Sequence, residues 1–350
     1  MNAGCGSPTD APQPAATEDG SGSTEGDAPS SGVGPGDGGD DGTTSGVTGP
    51  SEGSTAATGI ADDESSGTDE GGTTTGTGGR TIEPVDLTRY EADGPIQMIP
   101  APGGNASGIT WNDDTDRLWI VQNGAGAFFE YAGDDLSAPI RRIQLGGING
   151  NDTEGLAYMG GGELAVAFES GYGVYIADVP DGDVDVTIPV KQVLTLAAPP
   201  MVGNNGLEGI AYDRDSQVFY AVGEGQDPAA PRRFFRFARP VDEEVDLTWE
   251  DPGLDVAEPF DADAVLPGDG TSLDLAGIAF DRRDGNVLIV SHTGSAVLQV
   301  DPAGDGTVLG QLALPPNQWE GVTLRGADAD LWVVGESNDV QRYLYEEVAE

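Results

Sequence analysis

"DTEGLAYMGGGELAVAFES", residues 152–170, sets one glutamate at the start of a short apolar run and a second at the end of the next run. Glu154 and Glu169 are too far apart in sequence to face each other on a helix. A turn between two strands does bring them to one edge, because the end of an antiparallel strand lies beside the start of its partner. The Gly160-Gly161-Gly162 run between them supplies such a turn.

The same pattern recurs along the chain. "ASGITW" begins at Ala106, "TEGLAY" at Thr153, "LEGIAY" at Leu207, "LAGIAF" at Leu275 and "WEGVTL" at Trp319. Each leads through a polar turn into a second apolar run ("RLWIVQN", "ELAVAFES", "VFYAVGE", "VLIVSHT", "LWVVGES") and then a third, such as "GVYIADV" or "RFFRFA". Four units add a fourth candidate strand: "PIRRIQL", "KQVLTLA", a less regular segment after Arg239, and "TVLGQLAL". The repeated glycines Gly108, Gly155, Gly209, Gly277 and Gly321 are 47, 54, 68 and 44 residues apart. Four short strands per unit, at a repeat near 50 residues, describe the blade of a β-propeller.

The last unit lacks a fourth strand, whereas "GPIQMIPAP" before the first unit is a strand without a unit. Pairing the two closes the ring, so the expected fold is all-β, a five-bladed propeller completed by residues 95–101. A sixth blade hidden in residues 240–272 of the long third interval is the alternative. No segment after residue 90 keeps a 3.6 period for three turns, so almost no helix is expected.

The residue before each repeated glycine is Ser107, Glu154, Glu208, Ala276 or Glu320, and the second strands end at Asn123, Glu169, Glu224, His292 and Glu336. Three acid pairs are therefore expected at one end of the axis: Glu154 with Glu169, Glu208 with Glu224, and Glu320 with Glu336. Clustered carboxylates resist ionisation unless something compensates them. A hard cation such as Ca²⁺, which takes 6 to 8 oxygens, is one answer, with Asn123 as a further ligand. Acid–base catalysis is a second, with Glu208 and the sole histidine, His292, as candidates. Hydrogen bonds that fasten blade to blade are a third. No GxSxG elbow, Walker loop, HExxH or zinc-ligand set accompanies them.

Composition narrows the partners. Residues 1–79 contain no Lys, Arg, Phe, Trp or Tyr. A segment so poor in apolar surface is expected to be a disordered acidic tether, occupying residues 1–85 ahead of the propeller at 86–350. Only 14 of the 61 acids precede Arg80, so 47 acids face all 15 bases in the remainder. That charge argues against nucleic acid or an anionic membrane surface as a partner. It leaves salt adaptation and cation binding as readings. Cys5, the only cysteine, permits no intrachain disulfide. Its setting, "MNAGCGSP", resembles the lipidated end of a bacterial lipoprotein, which would place a monomeric domain at the cell envelope, periplasmic or at the cell surface, on a lipid anchor; secretion without an anchor is the alternative.

In their order and partners, "DTEGLAYMGGGELAVAFES", "NNGLEGIAYDRDSQVFYAVGE", "LAGIAFDRRDGNVLIVSHTGSAVLQVD" and "QWEGVTLRGADADLWVVGESNDVQRYLY" resemble successive blades of the SdiA-regulated (YjiK-like) family. The resemblance runs from about Ala106 to Tyr345 and departs from the family's usual Glu-Pro at Ser337. It implies a cell-envelope β-propeller and carries no activity with it. A looser likeness to calcium-dependent lactonases and phytase-like phosphoesterase propellers implies a metal held by Glu154, Glu208, Asn123, Glu320 and Glu336. The expectation is a divalent cation, a small-molecule, peptide or protein ligand at the acidic face, or both. A calcium-dependent hydrolase and a metal-free interaction scaffold are the alternatives.

Overall fold

The computed structural model describes residues 84–100, 105–148, 152–169, 172–197, 206–225, 231–240, 256–266, 274–326 and 329–346. The expected tether and Cys5 lie outside the described residues. Two short strands come first, β1 (Tyr90–Ala92) and β2 (Gln97–Met98). The first repeat unit folds as β3 (Ala106–Asn112), β4 (Arg117–Gln122), β5 (Ala127–Ala132) and β6 (Arg141–Gly146). The second comprises β7 (Thr153–Gly160), β8 (Glu163–Phe168), β9 (Gly173–Asp178), β10 (Val186–Pro189) and β11 (Gln192–Thr195). The third is β12 (Leu207–Asp213), β13 (Val218–Gly223) and β14 (Arg233–Ala238), followed by a four-residue helix, α1 (Ala262–Val265). The fourth is β15 (Gly277–Asp281), β16 (Asn286–Ser291), β17 (Ala296–Val300) and β18 (Val308–Ala313); the fifth is β19 (Trp319–Arg325), β20 (Asp330–Gly335) and β21 (Asp339–Tyr345).

Among the described residues these strands make five sheets, one per repeat, so the fold is a five-bladed propeller. The fifth sheet is completed from the front of the chain. β2 pairs with β21 at Gln97 and Met98, as the unpaired "GPIQMIPAP" predicts. β1 also joins β21, with Tyr90 opposite Tyr345, a second closing strand that its three residues were too short to announce. Around residues 240–272 the described part holds α1 and one bridge, Ala257 to Arg236, at the outer edge of the third blade. Another departure from simple blade order is β10, which leaves the second unit to pair in parallel with β6 of the first.

The near-continuous apolar strands have a direct cause: both faces of each blade are covered by its neighbours. Five apolar clusters lie between blades, and each draws on two successive units. Phe219, Phe235 and Phe237 meet Ala165, Val174 and Ile176 between the second and third blades, for instance. The set between the last blade and the first, with Trp332, Val334, Ile109 and Tyr131, makes the ring whole. Each fully buried Leu, Ile or Phe contributes about 1.5–3 kcal/mol of transfer free energy.

At the axis the repeated glycines touch in sequence around the circle. A Cβ on Gly155 would lie 2.7 Å from Gly209 Cα, one on Gly209 2.9 Å from Gly277 Cα, and one on Gly277 2.9 Å from Gly321 Cα. From Gly108 the nearest backbone includes Gly155 Cα at 2.8 Å, and from Gly321 it includes the Ser107 carbonyl at 2.9 Å. Only hydrogen fits at these positions, which is why the glycine recurs in every unit.

Candidate metal centre

In four blades the residue preceding this glycine sits in a β-bulge. The register between inner and second strand shifts between Ala106 and Ile109, Thr153 and Leu156, Leu207 and Gly209, and Trp319 and Gly321. A bulge adds one residue to one strand and re-aims its side chain. Ser107, Glu154, Glu208 and Glu320 occupy these extra positions. The second strand then ends one residue before Asn123, Glu169, Glu224 or Glu336.

The groups meet across blade boundaries as well as within blades. Asn123 of the first blade donates its amide to Glu154 Oε1 of the second at 2.5 Å. Glu169 of the second blade joins Glu208 and Glu224 of the third; one carboxylate oxygen from each lies within 4.8 Å of the others. Gly206 permits this approach, because a Cβ there would overlap the Glu169 side chain. His292 Nδ1 of the fourth blade stands 3.1 Å from Glu320 Oε1 of the fifth. Of the seven metal candidates read from the sequence, Glu169, Glu208 and Glu224 thus share one point. Glu154 and Asn123 are bonded to each other beside it, Glu320 is engaged by the histidine, and Glu336 acts on His292 only through its charge.

Two further acids belong to the site. Asp274, 1% exposed, accepts from the Thr293 N–H at 2.8 Å and the Thr293 hydroxyl at 3.0 Å, while its Oδ2 is 3.7 Å from His292 Nδ1. Asp152 adds its charge to Glu154 and Glu169. Both lie three residues before the repeated glycine, where the other units carry Asn105, Gly206 and Gln318. That recurrence was the available signal, and it falls just outside the six-residue repeat.

The electrostatics follow from burial. Removal from water pushes Glu154 and Glu208 well above the ordinary carboxylate range; Glu169 and Glu320 push both further, against a hydrogen bond from Ser107 that favours the Glu154 anion. Burial likewise raises Glu169 and Glu224 to about 7, with Asp152 adding to the first and Asp274 to the second. His292 moves up, held in its charged form by the hydrogen bond to Glu320 against the opposing effect of burial. Glu169 Oε1, Glu208 Oε1 and Asp274 Oδ2 are buried oxygens without a hydrogen-bond partner. Such atoms cost free energy unless something positive or donating meets them.

Solved structures of other proteins resemble the chain at low identity. Luciferin-regenerating enzyme superposes with a TM-score of 0.46 and 14% identity, over 71% of this chain and 95% of that one. The Myceliophteria thermophila Cps50 β-propeller domain gives 0.41 and 11%, over 73% and 100%. Chaetomium thermophilum Raptor gives 0.39 and 12%, over 71% of this chain and 20% of that one. A family profile described as SdiA-regulated matches residues 84–342, essentially every described blade, and the chain belongs to that family.

Proposed function

We propose that the propeller binds a divalent cation, Ca²⁺ by its chemistry, at the axial end formed by Glu169, Glu208 and Glu224. The observation that carries this reading is the convergence of three carboxylate oxygens within 4.8 Å, two of the three carboxylates having a buried oxygen without a partner. Two oxygens opposed across Ca²⁺ at 2.3–2.6 Å are about 5 Å apart, so the spacing suits that ion. All-oxygen ligation also suits a hard cation better than zinc or copper. Ca²⁺ would offset two of the three carboxylate charges gathered at that point.

Calcium titration of the full chain, followed by melting, tests the proposal. At about 100 times Kd a ligand that binds only the folded state stabilises it by about 2.7 kcal/mol. For a domain of this size the melting temperature is expected to rise by roughly 5–10 °C. Sodium chloride at equal ionic strength controls for general charge screening of the acidic surface. No rise beyond that control at millimolar Ca²⁺ would sink the proposal and return the acids to a role in joining blades. Against His292 as a general base stands its contact with Glu320, which favours the protonated ring.

Cell-envelope location belongs to the same proposal and rests on the Ala-Gly-Cys triplet at residues 3–5 and the composition of the tail. Expressed with a secretion signal in a bacterial host, the chain is expected to incorporate a clickable palmitate analogue. Cys5→Ala is expected to abolish that label.

A further inference from the structure

A cavity of about 650 Å³ opens at the opposite end of the inner strands from the glutamates. Its walls are the C-terminal halves of β3, β7, β12, β15 and β19, which supply aliphatic and aromatic groups such as Ile210, Ile278, Trp111, Tyr158 and Phe280. Its rim holds Arg214, Arg282, Arg283 and Arg325, four of the 15 bases in the whole chain. Three aspartates also line it, Asp113, Asp116 and Asp281, and Asp134 and Asp215 pair with the same arginines, so each guanidinium at the rim has a carboxylate partner.

These guanidinium groups are set in place. Arg214 pairs with Asp113 and lies over the Tyr158 ring, 5.0 Å from its centroid. Arg325 binds Asp116 at 2.8 Å and Asp134 at 2.7 Å while covering Trp111 at 4.8 Å. Arg283 grips the buried Asp281 and donates to the Tyr90 hydroxyl at 2.8 Å. Arg282 is the loose member, half exposed, with a 3.3 Å contact to the exposed Asp215. An arginine carries five N–H donors, and the contacts of Arg214, Arg282 and Arg283 use only part of that capacity. Planar guanidinium forks above walls of mixed polar and apolar surface match the fork of a carboxylate carried on a small organic body. The volume lies in the range of small-molecule sites.

We propose that this cavity is a second, independent ligand site, which takes a small organic carboxylate with an aromatic or aliphatic body. Calorimetry of the full chain with indole-3-acetate, phenylacetate and decanoate tests it. At least one is expected to bind saturably with Kd between about 10 µM and 1 mM. The neutral isostere, indole-3-acetamide or its counterpart, is expected to bind at least about tenfold more weakly, because the charge-assisted bonds are lost. Arg282→Gln breaks only an exposed pair, so it is expected to leave the melting temperature unchanged and weaken the acid about tenfold; Arg214→Gln is a second reading of the same contact. Glu208→Gln at the opposite end is expected to leave carboxylate affinity unchanged, so failure of the cation proposal does not touch this one. The inference is overturned by no saturable binding of any of the three acids up to about 10 mM. Equal binding of acid and amide, binding of inorganic phosphate as tight as that of the acids, or insensitivity to both arginine variants would each overturn it too.

Discussion

Gly155→Ala is expected to lower the stability of the propeller by about 3 kcal/mol or more, seen as a melting temperature roughly 10 °C below that of the parent. The added methyl carbon would lie 2.7 Å from both Gly209 Cα and Ile210 N, and these are backbone atoms that cannot rotate away. Relief requires the second and third blades to separate at the axis, and a closed ring hands that displacement to its neighbours. Gly285→Asn serves as the control. Gly285 has a positive φ of +80° and open space where a side chain would go, a conformation that asparagine tolerates. Its loss should stay below about 1 kcal/mol. If Gly155→Ala proves equally mild, the axis is less crowded than the inner strands indicate.

Between about pH 4.5 and pH 7 the calcium-free protein is expected to become less stable as the pH rises. Glu169 and Glu224 start from ordinary values of 4.5 and reach about 7 when folded. Within that window the folded state holds protons that the unfolded chain has released, so stability falls with pH, and the share due to these two acids is complete above about 7. Screened by water at the channel mouth, the two acids together are expected to account for on the order of 2–4 kcal/mol. The chain's 61 acids add a general repulsion with the same sign. For that reason the measurement is a difference: urea unfolding from pH 5 to 8 for the parent and for Glu169→Gln/Glu224→Gln. The double variant should be the more stable of the two at pH 8 without calcium, and less dependent on pH. Calcium needs the ionised carboxylates, so its stabilisation of the parent should grow over the same interval and be absent in the variant. Parallel curves for the two proteins would remove the buried acids as the cause.

Much of this arrangement was legible in the repeat itself. "TEGLAY" and its relatives located every inner strand, and counting glycines gave the number of blades. Residues at the ends of the second strands were placed at the correct edge because antiparallel pairing leaves no other choice. What stayed hidden depends on neighbours that sequence does not name. The bulge at Glu154 or Glu208 is an extra residue, visible only once the partner's register is known. Grouping of Glu169 with Glu208 depends on Gly206, an unremarkable glycine until the second blade is laid against the third. Asp152 and Asp274 precede the apolar run that marks each inner strand, although both keep a fixed distance from the repeated glycine.

Closure by β1 has a mechanical side. Tyr90 lies opposite Tyr345 and Ala92 opposite Tyr343, so the first and last strands run antiparallel, with the start of β1 beside the end of β21. Tension between those ends loads the pair like a zipper: the Glu346 N–H bond to the Arg89 carbonyl and the Val85 N–H bond to Asp284 carry the force first, then the Tyr90–Tyr345 and Glu91–Leu344 rungs in turn. Resistance at the start of that path comes from the side chains clustered there, Arg89 stacked 4.4 Å over Tyr345 and the Tyr90 hydroxyl bonded to the Ala329 carbonyl at 2.8 Å. A fold locked tightly at its axis is therefore fastened at its rim by a seam that opens rung by rung.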